Sequence, residues 1–215
     1  MVLRLRSGNI QIRFLAGFII IAFCCCALYI SRAFRVTPEL MLKPEIIKPV
    51  FNQCIHVRSD LIDACIPNDM GHEIVSGSIR FFSARKRISG LISEGKDNGY
   101  EKRLRSSLDK PVSRIMLGDI SSKSTAEIVK TVFEKRYNPL FLGVRAEIVP
   151  KWMRGDEKAC IILPEGVNGI GFLSSTRQMG IVFDKKGLVV IQIDGSPDKP
   201  FLSFLMKTAI LRQQG

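Results

Sequence analysis

The sequence predicts an α+β chain: an N-terminal transmembrane helix followed by a β-rich antiparallel domain with one amphipathic helix and a C-terminal helix. Three observations carry this expectation. An apolar, uncharged run fills Phe14–Ile30. Most of the remaining chain consists of short segments that alternate apolar and polar residues between turn residues, the pattern of half-buried strands. Two stretches, Ser124–Tyr137 and Phe201–Arg212, instead place apolar residues at helical spacing.

The apolar run lies between Arg13 and Arg32 with no charge between them. About 18 residues at ~1.5 Å of rise reach ~27 Å, close to the thickness of a hydrocarbon core. The flanking arginines Arg13, Arg32 and Arg35 can lay their stems along the span and keep their charges in the headgroups. This divides the chain into a short cytoplasmic segment, 1–13, an anchor, 14–31, a stalk, 32–50, and an extracytoplasmic domain, 51–215. Orientation rests on a near-balanced charge count, with Arg4, Arg6 and Arg13 on one side and Arg32, Arg35, Lys43 and Lys48 on the other. The short basic start has the character of a signal-anchor, which favours a single-pass protein of the cell inner membrane with its domain outside the cytoplasm. Ser31 and Ala33 would suit a signal-peptidase site. The length of the run and the intervening Arg32 favour an uncleaved anchor. Cys24, Cys25 and Cys26 read as small apolar residues in lipid.

Composition is ordinary for a globular protein, with 46% of residues hydrophobic and 24% charged, so disorder is not the default. The net charge of +12 is uneven. Arg4, Arg6, Arg13, Arg32 and Arg35 all precede the first acid, Glu39, and between Arg80 and Arg114 ten Lys/Arg face four Asp/Glu. Attraction to lipid headgroups or an acidic partner competes here with a solvated strand surface. The basic residues are dispersed through alternating segments, which favours the solvated surface. No nucleic-acid-binding motif is present, so no nucleic-acid partner is expected.

After the anchor, Val36–Val50 carries Pro38, Pro44 and Pro49, which interrupt any long helix and suit a stalk. Phe51–Asp69 holds Cys54 and Cys65 and ends on the turn signal Ile66-Pro67-Asn68-Asp69. Ile74–Phe82, Arg87–Ser93, Tyr100–Leu108 and Val112–Ile120 then suggest an antiparallel meander, with turns at Ser83–Lys86 and Gly95–Gly99. Ser124-Thr125-Ala126-Glu127 fits a capping box, in which serine and glutamate each satisfy a free backbone donor. The helix it opens would bury Ile128, Val129, Val132 and Phe133 and stop at Asn138-Pro139. Further strands are expected at Leu140–Val149, Ala159–Leu163, Gly169–Leu173, Met179–Asp184 and Leu188–Ile193. Asp184–Gly187 should join the last two as a hairpin. Pro200 opens Phe201–Arg212, where a narrow polar strip at Ser203 and Lys207 points to a helix docked in the core, in preference to one lying on a partner or a membrane.

Chemistry is sparse. Outside the cytoplasm, Cys54, Cys65 and Cys160 imply one disulfide and one leftover thiol. Cys54–Cys65 is the preferred pair, with a bridge from Cys160 or free thiols as alternatives. Cys54, His56, Cys65 and His72 have donors soft enough for zinc, but their spacing matches no compact finger. The glycines of Glu165–Gly171 faintly resemble a phosphate cradle without the Lys-Ser/Thr that would complete one, and fit a loop leading into a strand better. Asp60 with Asp63 and Asp156 with Glu157 are paired carboxylates at surface-loop spacing. No serine or cysteine sits in a recognisable nucleophile motif. No catalytic residue, metal or cofactor is therefore expected.

Cys54 after the stalk, followed by Ser78–Phe82, Arg87–Ser93 and Tyr100–Leu108 as successive strands, resembles the layout of small bitopic accessory proteins of the ToxS and FidL type. The resemblance covers about half the chain. It implies a short cytoplasmic start, one anchor, and a β-rich periplasmic domain that pairs with a transmembrane transcription regulator. The expectation is a non-catalytic accessory module of a membrane complex, with a lipid bilayer and a membrane or periplasmic protein as partners. A ligand-binding sensor subunit and a membrane-anchored hydrolase are the alternatives.

Overall fold

A computed structural model describes residues 42–50, 53–95, 125–134, 145–184 and 187–212, apart from Glu147 and Pro197, together with Ser106. The chain divides after Thr37, and every described residue belongs to the second unit, Pro38–Gly215. The anchor Phe14–Ile30, its arginines Arg13, Arg32 and Arg35, and the capping serine Ser124 lie outside the described residues. So do the expected strands Tyr100–Leu108 and Val112–Ile120, apart from Ser106. Among the described residues no helix is long and apolar enough to cross a membrane.

The domain is a β-rich α+β fold. Its strands are β1 (Glu45–Ile47), β2 (Cys54–Arg58), β3 (Ile62–Pro67), β4 (Gly71–Val75), β5 (Ser78–Ser83), β6 (Ile88–Glu94), β7 (Cys160–Pro164), β8 (Gly169–Leu173), β9 (Arg177–Asp184), β10 (Gly187–Asp194) and β11 (Ile210–Leu211). Among the described residues, two ten-residue helices accompany them, α1 (Thr125–Glu134) and α2 (Lys199–Thr208). Eight strands form one sheet in the order β1-β7-β8-β9-β10-β6-β5-β4, and three form a second, β11-β3-β2. Every pairing is antiparallel except β1 with β7.

The central strands are apolar on both faces because both faces are covered. Along β10, Leu188 and Val190 join the cluster of Ile128, Val129, Val132 and Phe133 from α1. Val189, Ile191 and Ile193 point the other way, into a cluster with α2 and the small sheet. The alternation of strand side chains thus divides one continuous apolar run between two cores. In β5 only one face is covered: Ile79 and Phe81 are buried while Arg80 and Phe82 are exposed.

Helix α2 begins where Asp198 accepts a hydrogen bond from the Phe201 amide at 2.9 Å, with Pro200 in the first turn. It buries every residue from Phe201 to Met206, each large apolar side chain contributing about 1.5–3 kcal/mol. Ser203 is buried with them, so of the expected polar strip only Lys207 faces solvent. Close approach is possible because β8 and β9 present Gly171 and Gly180 opposite each other. A Cβ on Gly180 would stand 2.7 Å from Met206 Cγ, and one on Gly171 would stand 3.1 Å from Leu202 Cδ2. The helix core-docks as expected, but Ile210 and Leu211, assigned to it from the sequence, form β11 beside β3.

Three further expectations change. Part of the segment read as a stalk, Glu45–Ile47, is a sheet strand flanked by Pro44 and Pro49. Ile74–Phe82 is not one strand: Ser76 (φ 50°) and Gly77 (φ 77°) turn β4 into β5. Positive φ at both central residues is the requirement of a type I′ hairpin turn. Leu140–Val149 is not a strand over its described part. Arg145, Ala146 and Ile148 are helical, and the Val149 amide bonds the Arg145 carbonyl at 2.8 Å. That turn is anchored by Arg145, which is fully buried and donates from Nε to the Val132 carbonyl at 2.7 Å. Its guanidinium also lies 5.9 Å from the centre of the Phe133 ring.

Candidate functional site

Strand β1 lies at one edge of the large sheet, in parallel register with β7, so that Ile46 stands opposite Leu163. Ile46 is 74% exposed. The Glu165 amide donates to the Ile47 carbonyl at 2.8 Å and carries the pairing one step past the strands. Beyond it, residues 165–168 form a loop tied at several points. Gly166 takes φ 69°, which glycine adopts without strain, and its carbonyl accepts from Lys207 Nζ at 3.1 Å. The Asn168 carbonyl accepts from the Phe183 amide at 2.7 Å, and the Asn168 side-chain amide donates to the Phe183 carbonyl at 2.9 Å.

Between this loop, β1 and α1 lies an open groove of about 700 Å³. Ile46, Leu163 and Val167 supply its apolar lining, while Lys48, Lys130, Glu127 and Glu165 place two cations and two anions around it. The volume falls within the range of ordinary binding sites, about 300–1,000 Å³. Among the described residues, no histidine, cysteine, serine or aspartate lines it. The glycine segment Glu165–Gly171 is indeed a loop leading into a strand, and it forms one end of this groove. Lys48, Glu127 and Lys130 come from distant parts of the chain, and only the fold brings them together.

Cys54 and Cys65 form a disulfide across β2 and β3, with Cα atoms 5.6 Å apart. They are diagonal neighbours, since Cys54 stands opposite Pro67 and Cys65 opposite His56. Both sulfurs are thereby taken from the zinc constellation considered from sequence. His56 instead lies 3.5 Å from Asp63, whose other oxygen accepts from Arg58 Nε at 2.9 Å. His72 sits on β4, in the other sheet. Among the described residues no group of three or more His, Cys, Asp or Glu is placed to hold a metal ion.

Cys160, the free thiol among the described cysteines, is half-buried, and burial pushes its pKa up. Lys199 pulls it down less strongly, and Glu45 adds to the rise. That is the opposite of an activated nucleophile. Asp63 is engaged by Arg58 and His56. Asp156 is a turn-forming residue: its carboxylate accepts from the Ser175 hydroxyl at 2.6 Å, the Ser175 amide at 2.7 Å and the Lys158 amide at 2.9 Å. The Ser175 hydroxyl is the largest cause holding its pKa below the usual carboxylate range.

No protein-family model matches the chain, and neither a curated protein nor a solved structure matches it.

Proposed function

We propose that this chain is a single-pass membrane protein whose extracytoplasmic domain is a non-catalytic accessory module, and that its groove along β1 receives an extended segment of a partner. The observation that carries this reading is the edge strand itself. Among the described strands β1 pairs only with β7, and its other side is left with backbone donors and acceptors beside the exposed Ile46 and the charged groove. A strand added there would gain main-chain hydrogen bonds, while Ile46 and Leu163 would select an apolar side chain on the groove face. The disulfide supports a location outside the cytoplasm. The resemblance to ToxS- and FidL-type proteins would make the partner a transmembrane regulator.

The test is site-specific photo-crosslinking in native membranes. A photoreactive residue at Ile46 should give one discrete adduct, and the same residue at the exposed Ile210 should not. Absence of an adduct at Ile46, or equal adducts at both positions, counts against the groove.

The groove volume also favours a second reading, a sensor that holds a small amphipathic ligand. In that case a ligand library should raise the melting temperature of the wild type, and Leu163→Glu should abolish the shift. No shift with any compound counts against it.

A further inference from the structure

The turn between β5 and β6 carries a charge distribution that neither its geometry nor the groove explains. Ser83 and Ile88 close the hairpin, leaving Ala84, Arg85, Lys86 and Arg87 as four exposed turn residues. The backbone is well tied, with the Arg87 amide donating to the Ala84 carbonyl and the Lys86 amide donating to Ser83 Oγ, both at 3.3 Å. Arg87 takes φ 51°, a conformation that glycine or asparagine adopts far more readily. Turn chemistry alone would not select three consecutive cations, least of all an arginine at that position.

The charges are also poorly compensated. Lys86 pairs with Asp69 at 2.7 Å, and this hydrogen bond is the main cause that lowers the aspartate pKa. Among the described residues, neither Arg85 nor Arg87 has a carboxylate within 4 Å, although Arg85 is close enough to Asp69 to help lower its pKa. Just before the turn, Phe82 leaves about half its surface in solvent. Arg80 projects from the same face of β5, its charge engaged by Glu73 at 2.8 Å. The result is an exposed hairpin end with two guanidiniums in no salt bridge, a lysine shared with Asp69, and a half-exposed Phe82 at the end of β5.

We propose that the β5–β6 turn rests on anionic phospholipid headgroups. The inference depends on the tethered reading of the chain above, which keeps the domain beside a bilayer. Unpaired guanidiniums bind phosphate oxygens in forked geometry, and an aromatic residue next to them suits the headgroup layer. A lipid surface suits the turn because all four residues from Ala84 to Arg87 are exposed, which spreads the charge along the hairpin end. Each basic residue at an anionic surface strengthens attachment about fivefold, so the two unpaired arginines together supply about 25-fold.

The test uses the full chain in nanodiscs of phosphatidylcholine, with or without phosphatidylglycerol, and follows amide hydrogen exchange at residues 84–88. Exchange should be about fivefold or more slower in the phosphatidylglycerol discs. High salt and the double variant R85E/R87E should remove the difference, and R85Q/R87Q should leave an intermediate effect. Unchanged Trp152 fluorescence in each variant verifies that the domain remains folded. Equal exchange in the two lipids overturns the proposal, as does slowing that survives charge reversal. Slowing that requires a co-purifying acidic protein overturns it as well. Carbonate extraction of the chain from membranes would refute the tether separately. Flotation of that extracted chain would then decide the turn: flotation with phosphatidylglycerol vesicles alone supports it, and no flotation overturns it.

Discussion

Replacing both Cys54 and Cys65 by alanine removes a cross-link whose worth can be worked out from the chain it closes. The two residues are 11 apart. Loop-closure entropy for a ring of that size gives about 2.8 kcal/mol at room temperature, lost when the link is cut. For a domain of this size, each 1 kcal/mol moves the melting temperature by about 2–4 °C, so the expected fall is about 6–11 °C. Trp152 is the only tryptophan in the chain and packs against the α1 core, whereas Cys65 belongs to the α2 core. Its fluorescence therefore reports unfolding of the domain as a whole and not the fraying of β2. The assay is a thermal melt in detergent of wild type, reduced wild type and the double variant, paired with alkylation of the folded, unreduced protein. An unchanged Trp152 midpoint together with new proteolytic cleavage near residues 53–61 would refute the magnitude. It would mean that β2 opens locally and that the loop is not closed against global unfolding. Alkylation of both Cys54 and Cys65 before reduction would refute the link itself.

Gly180→Ala should destabilise the domain by about 1–3 kcal/mol in the same melt, because the added methyl would meet Met206 Cγ at 2.7 Å, and Met206→Ala should restore part of the loss. Ser76→Asn should instead raise the midpoint, by about 0.5 kcal/mol or more in stability, since asparagine tolerates the φ of 50° that Ser76 adopts ahead of Gly77. Asp156 should titrate, by carboxyl NMR, below the usual aspartate range, and Ser175→Ala should move it back up. The sign follows from the lowered pKa. The stabilisation is complete above the ordinary carboxylate range and is lost as pH falls through the depressed value, so the variant should lose its disadvantage in acid.

The sequence made β7–β10 and both helices legible because their signals are local. Leu188–Ile193 is an unbroken apolar run, Asp184 and Gly187 bracket a tight hairpin, and Ile128, Val129, Val132 and Phe133 repeat at helical spacing. Elements were missed where a local signal had a second meaning. Pro44 and Pro49 read as breakers of a stalk, yet at an edge they merely bound a three-residue strand, where proline is tolerated. Ser76-Gly77 passed unnoticed inside an apparent alternation that continues across the turn. The helical turn at Arg145 could not be read from Leu140–Val149 at all, since a fully buried arginine is explained by the Val132 carbonyl, 13 residues away. The groove was illegible for the same reason, because Lys48, Lys130 and Glu165 become neighbours only when β1 joins β7 beneath α1.

The same architecture limits how the domain can bind. Among the described residues, the central strands are covered on both faces and α2 is buried, so on the proposed function a partner would meet strand edges and hairpin ends. Exposed edges usually invite aggregation, and this fold restrains both of its large-sheet edges. β1 is only three residues long and lies between prolines, while β4 carries Glu73 in an ion pair with Arg80. A three-residue edge offers few main-chain hydrogen bonds, so a strand added at β1 should bind weakly in free solution. A tether changes that balance without any new contact, because holding two proteins on one membrane can raise their effective concentration into the millimolar range. On the proposed function, the anchor and the short edge are therefore complementary: the edge can stay too short to capture stray strands because the membrane supplies the proximity. The consequence is measurable. The Ile46 crosslink should be strong when both proteins share a membrane and should fall steeply when they are dispersed in separate detergent micelles. A crosslink equally efficient after dispersal would show that the groove binds tightly by itself, and the argument from edge length would fail.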